Sequence, residues 1–124
     1  MYDEELLKEF IIESNEHLSE LEENLNRLVD DPKNQEYLNQ LFRAVHSIKG
    51  SADYIGLEKT GEFLHKMESI LERLRQGSLT ATKDIIDVLF MGMDTVTSLL
   101  QDLSESKEEL SSVESASVAL DRLL

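Results

Sequence analysis

Four residues at helical spacing stand out for their chemistry. His46, Lys49, Gly50 and Asp53 lie at i, i+3, i+4 and i+7, so on a helix they form one stripe, with an imidazole and an ammonium one turn apart. Gly50 is the oddity, since a mid-helix glycine costs about 1 kcal/mol relative to alanine. One turn from a histidine, it bares the backbone and lets a large partner reach the ring. Further along, His65 and Glu68 stand at i, i+3 and Glu72 continues their stripe. A carboxylate that accepts the Nδ1 proton of an imidazole fixes the tautomer and leaves Nε2 as a free lone pair. A nearby ammonium offsets charge on phosphoryl oxygens. Phosphoryl transfer depends on positioning and charge stabilisation more than on covalent work by the surroundings, so these residue types suit a phosphoryl acceptor.

The elements that must position them are helical. Leu38, Leu41, Val45, Ile48, Ala52 and Ile55 alternate in steps of three and four, which predicts a second helix over about 34–55, capped by Gly56. Leu64, Met67, Leu71 and Leu74 predict a third over 58–76, ending at Gly77. The short link between them favours antiparallel packing, which sets His65 and Glu68 opposite His46 and Lys49. Leu7 to Leu28 predict a first helix over about 3–30, stopped at Asp30-Asp31-Pro32. Ile85, Leu89, Gly92, Val96, Leu99 and Leu103 predict a fourth over 81–103, preceded by the capping hydroxyls of Ser78 and Thr80. Leu110, Val113, Leu120 and Leu123 predict a weaker fifth over 107–123. No stretch has the period of a strand. The expected fold is all-α, an antiparallel up-down-up-down four-helix bundle with an additional C-terminal helix, in a single domain over 1–124. Val45, Ile48, Ala52, Leu64, Met67, Leu71, Leu89 and Val96 are its expected core.

Composition narrows the function classes. Twelve basic against 26 acidic residues give a formal net charge of −14. That balance disfavours nucleic acid and anionic lipid. The absence of cysteine removes thiolate nucleophiles and Cys-ligated zinc. The amino terminus is acidic where a secretory signal is basic, and the apolar run Val88 to Met93 is too short to insert in a membrane. A cytoplasmic protein is expected.

The segment Leu41-Phe42-Arg43-Ala44-Val45-His46-Ser47-Ile48-Lys49-Gly50-Ser51-Ala52 closely resembles the signature of histidine-containing phosphotransfer (HPt) domains. Within them it looks most like the N-terminal phosphotransfer domain of CheA-type chemotaxis histidine kinases. The run Leu64-His65-Lys66-Met67-Glu68-Ser69-Ile70-Leu71, then Leu74-Arg75-Gln76-Gly77, is similar to the second block of that domain. The resemblance implies that His46 is the phosphoacceptor, Glu68 the carboxylate partner of its ring, and Lys49 and His65 supporting polar residues. It implies two partners, the ATP-binding domain of a histidine kinase (in cis or in trans) and the receiver domain of a response regulator, and no cofactor. Asp53-Tyr54-Ile55-Gly56-Leu57 departs from the family pattern, placing a charge near the presumed docking surface.

Other readings account for less. A di-iron bundle needs Glu-x-x-His on two helices, and only Glu62 with His65 makes such a pair, so no metal is expected. A structural or adaptor bundle explains the apolar spacing but leaves Gly50 and the paired stripes without a reason. An autonomous enzyme is not expected, for want of a glycine-rich nucleotide loop and a magnesium cluster. His17 and the acidic pairs, Glu108 and Glu109 among them, read as solvated surface, and Met67, Met91 and Met93 as core filling.

Overall fold

A computed structural model of the chain describes residues 2–124. It contains α1 (Glu4–Asp30), α2 (Gln35–Ile55), α3 (Glu58–Gln76), α4 (Lys83–Ser106) and α5 (Glu114–Asp121), and no strand among the described residues. α1 packs against α2 and α4, α3 packs against α2 and α4, and α5 lies on α3 and α4. This is the expected bundle. Among the described residues no helix is long and apolar enough to cross a membrane.

The helix ends follow from local chemistry. Asp3, Asn34 and Thr82 accept backbone N–H groups at the starts of α1, α2 and α4. Gly56 and Gly77 end α2 and α3 at φ +93° and +80°, left-handed values that a side chain would strain. With only Gly56 and Leu57 between them, α2 and α3 are antiparallel neighbours.

All eight expected core residues are buried, and the core is continuous from Leu7 to Leu120. α3 and α4 approach closely where Gly92 faces Met67; a Cβ at residue 92 would lie 3.0 Å from both Sδ and Cε of Met67.

Several expectations need correction. The fifth helix is shorter than 107–123, because α4 runs on to Ser106 and stops at Lys107, whose φ of +57° is left-handed. Residues 107–113 then form a strap tied by polar bonds: Asp102 Oδ2 accepts the Ser111 N–H at 2.5 Å, and Lys59 Nζ donates to the carbonyls of Glu109 and Ser111. Leu110, assigned to an apolar face, is exposed. Glu109 is not solvated surface: its Oε2 accepts the N–H and the hydroxyl of buried Thr60, each at 2.6 Å. Met91 is exposed, one residue off the buried line through Gly92 and Met93. The fourth helix also begins two residues later than 81, with Thr82 rather than Ser78 or Thr80 as its cap.

Candidate functional site

The site lies on the outer seam of α2 and α3. Val45 and Ile48 fill the core from α2, which turns His46 and Lys49 outward along the edge of the buried face. Met67 and Leu71 do the same for α3 and leave Glu68 at the seam. Antiparallel packing then sets Glu68 level with the histidine-lysine turn.

Glu68 bridges both of its neighbours. Its Oε2 lies 2.6 Å from Nδ1 of His46, and its Oε1 accepts from Nζ of Lys49 at 3.3 Å. An ionised carboxylate can only accept, so Nδ1 carries the proton and Nε2 keeps its lone pair in the neutral ring. Exposure divides the roles: the His46 side chain is 60 % exposed, Glu68 only 14 % and Lys49 20 %. The imidazole is accessible and its two polar neighbours are set back. Desolvation is the largest single influence on the Glu68 carboxyl and pushes its pKa up, but the hydrogen bonds and charges of His46 and Lys49 together outweigh it. The group is held below the ordinary carboxylate value and stays ionised.

Gly50 lies one turn from His46 on the exposed side, and a Cβ there would meet nothing within 4 Å. Nothing inside the chain requires a glycine at this position. The open space belongs to whatever approaches the ring. A shallow depression lined by Leu6, Glu9, Phe10, Glu13, Gly50, Ser51, Tyr54 and Ile55 adjoins it between α1 and α2, and Tyr54 is 80 % exposed. The departure at Asp53 and Tyr54 therefore faces outward beside the site.

His65 sits one turn before Glu68 and shares a depression with Lys49, Asp53, Glu62 and Lys66. It is exposed and makes no side-chain hydrogen bond to His46 or Glu68. The structure thus brings His46, Lys49 and Glu68 into contact and places His65 at their margin. Among the described residues no group of three or more His, Cys, Asp or Glu side chains is arranged to hold a metal ion.

One neighbour of the ring, and a residue that contacts that neighbour, were not singled out by sequence reasoning. The Phe42 ring stacks on His46, with centroids 5.7 Å apart and planes 12° from parallel. Over Phe42 lies the guanidinium of Arg75, 4.0 Å from the ring centroid, and Arg75 also pairs with Glu72 at 2.7 Å. Phe42 was detectable as the residue one turn before His46 on the same face. Arg75 had no such signal, because its contact crosses between helices.

Comparison with known proteins places the chain among relatives. The Hpt domain family model matches residues 5–116. The chain is 30 % identical over 124 residues to the chemotaxis protein CheA of Halobacterium salinarum, covering 97 % of this chain and 19 % of that protein. It is 35 % identical over 97 residues to the sensor histidine kinase CheAY of Helicobacter pylori, covering 78 % of this chain and 12 % of that protein. The chain therefore spans a fifth or less of the length of these curated relatives. Among solved structures, the CheA phosphotransferase domain from Thermotoga maritima is similar with a TM-score of 0.78 at 32 % identity, over 82 % of this chain and 96 % of that one. A histidine phosphotransfer domain of CheA in solution gives 0.85 at 29 % identity, over 97 % and 90 %.

Proposed function

The chain belongs to the Hpt domain family, and on that premise we propose that His46 is a phosphoryl carrier in a chemotaxis-type two-component pathway. The Nε2 lone pair attacks the γ-phosphorus of ATP held by a separate kinase domain. An N–P bond forms as the P–O bond to ADP breaks. The Nδ1 proton stays between the ring and Glu68, so the positive charge that develops on the phosphorylated imidazole faces a carboxylate. Lys49 stands one turn away to meet the phosphoryl oxygens. In the second step a receiver-domain aspartate oxygen attacks phosphorus, the N–P bond breaks, and the electron pair returns to Nε2. Gly50 and the exposed ring leave room for both partners, one at a time. A single domain over the whole chain, with ATP binding supplied in cis or in trans and the pathway in the cytoplasm, fits this role.

The observation that carries the reading is the bridging of Nδ1 and the Lys49 ammonium by one set-back carboxylate, with Nε2 left open. The test is a time course of radiolabel transfer from ATP using a CheA catalytic domain. The chain takes up label that is acid-labile and alkali-stable, as a phosphoramidate is, and loses it to a response regulator on mixing. His46→Gln takes up none. Undiminished labelling of that variant would mean that another residue is the acceptor.

A further inference from the structure

A hydrogen bond at one ring nitrogen leaves the ring able to turn about that contact. Nucleophilic attack needs more than the right tautomer, because the Nε2 lone pair must also point along the line of displacement. For a side chain 60 % exposed, the bundle core supplies no wall to hold the ring plane. Among the described residues the Phe42 ring is the one aromatic surface stacked on it. Phe42 is itself half-buried against the core, and the Arg75 guanidinium, held by Glu72, lies over its π face. That is cation–π geometry, and it clamps an otherwise mobile aromatic side chain from the neighbouring helix.

We propose that Phe42 is a positioning residue for His46, with Arg75 acting through it: Glu68 anchors Nδ1, the Phe42 stack sets the ring plane, and the two together aim Nε2. This rests on His46 being the phosphoacceptor. Neither residue touches the reacting phosphorus. The pair adds a second, apolar constraint beside the polar one, and it works from the α3 turn beyond Glu72, away from the Lys49 side of the ring.

The test uses the chain with Phe42→Leu, Phe42→Tyr, Arg75→Gln and the Phe42→Leu/Arg75→Gln double variant, each checked for folding by thermal unfolding. With a CheA catalytic domain and ATP, Phe42→Leu lowers kcat about tenfold or more while KM for the chain stays within about twofold. Phe42→Tyr, which keeps the stack, retains kcat. Arg75→Gln lowers kcat by a smaller factor, about two- to fivefold, and adds nothing once Phe42 is leucine, as expected when one residue acts through the other. The 1H–13C resonance of the His46 Cε1–Hε1 group, which senses the ring current of its stacking partner, moves in Phe42→Leu and not in Phe42→Tyr. If the wild-type chain takes no label, the carrier reading fails and this inference with it. If the wild type is labelled and Phe42→Leu keeps its kcat, or changes only KM, the positioning role is overturned and the carrier reading stands. A further loss from Arg75→Gln in the Phe42→Leu background overturns the role assigned to Arg75.

Discussion

Glu109 caps α3 from the far side of a loop. Its Oε2 accepts both the backbone N–H and the hydroxyl of Thr60, each at 2.6 Å. The first turn of a helix has N–H groups with no partner inside it, and the residue at the cap position of α3, Leu57, offers no side-chain acceptor. Leu57 is instead fully buried. Packing has claimed the position where a capping side chain normally stands, and the α4–α5 strap supplies the missing carboxylate. Lys59, donating to the carbonyls of Glu109 and Ser111, ties the strap down beside it.

Glu109→Ala leaves buried Thr60 with two unpaired donors, and the expected loss is about 1–2 kcal/mol. Urea unfolding measures it. Phosphoryl uptake by His46 is expected to remain, because the cap lies at the opposite end of α3 from the Phe42 and Arg75 contact and two turns before Glu68. Unchanged stability in Glu109→Ala would show that solvent replaces the carboxylate without loss.

Gly50 separates stability from access. A Cβ there meets nothing within the chain, so Gly50→Ala stabilises the helix by about 0.5–1 kcal/mol. Gly50→Gln should be as stable as the alanine variant, yet slow both uptake and release of the phosphoryl group on the order of tenfold, since its side chain projects into the space a partner must enter. Thermal unfolding and label transfer, run on both variants, check the two halves separately. Equal transfer by Gly50→Gln and wild type would remove access as the reason for the glycine.

The bundle was legible because its pattern is redundant. α2 carries six apolar residues at alternating three and four steps, and both glycines that end α2 and α3 fall where the periodicity stops. The contacting trio of the site was legible for the same reason: residues on adjacent antiparallel helices are related by spacing alone. What spacing could not convey was tertiary. Leu110 stands one helical step before Val113, yet the left-handed turn at Lys107 and the bonds to Asp102, Lys59 and Thr60 pull its segment out of helix. Arg75 reaches Phe42 across two helices, and no one-dimensional pattern links them.

Gly92 is expected to reject a branched side chain. Met67, fully buried, lies 3.0 Å from where the Cβ would stand. Gly92→Val overpacks the α3–α4 contact by about 1–3 kcal/mol, visible as a lower urea midpoint at unchanged slope. Because Met67 is one residue before Glu68, the same variant should also disturb the Glu68–His46 bond, seen as a change in the His46 imidazole resonances. A variant as stable as wild type would mean that Met67 swings clear without loss.

The last prediction concerns Glu68 and pH. Glu68→Gln keeps an oxygen that can accept the Nδ1 proton but loses the charge that answers a positive imidazole. Uptake of label should slow by about 10²–10⁴-fold without vanishing, because the attacking lone pair on Nε2 survives. Complete loss in a folded Glu68→Gln would show the carboxylate to be indispensable. The ionisation of Glu68 also has a thermodynamic consequence with a definite sign. Desolvation raises its pKa, but His46 and Lys49 together hold it below the ordinary value of 4.5. The folded chain therefore binds this proton less readily than the unfolded one. The stability this contributes is complete above pH about 4.5 and is lost as pH falls through the lowered folded-state value. The stability difference between wild type and Glu68→Gln should accordingly shrink as pH falls below about 4.5. Lys49→Met removes one of the two groups that lower the pKa, so its acid loss should be smaller than in the wild type and complete at a higher pH. Urea unfolding of the three proteins across acid pH measures the differences directly. A difference that grows as pH falls below about 4.5 would reverse the sign and show that folding favours the protonated carboxyl.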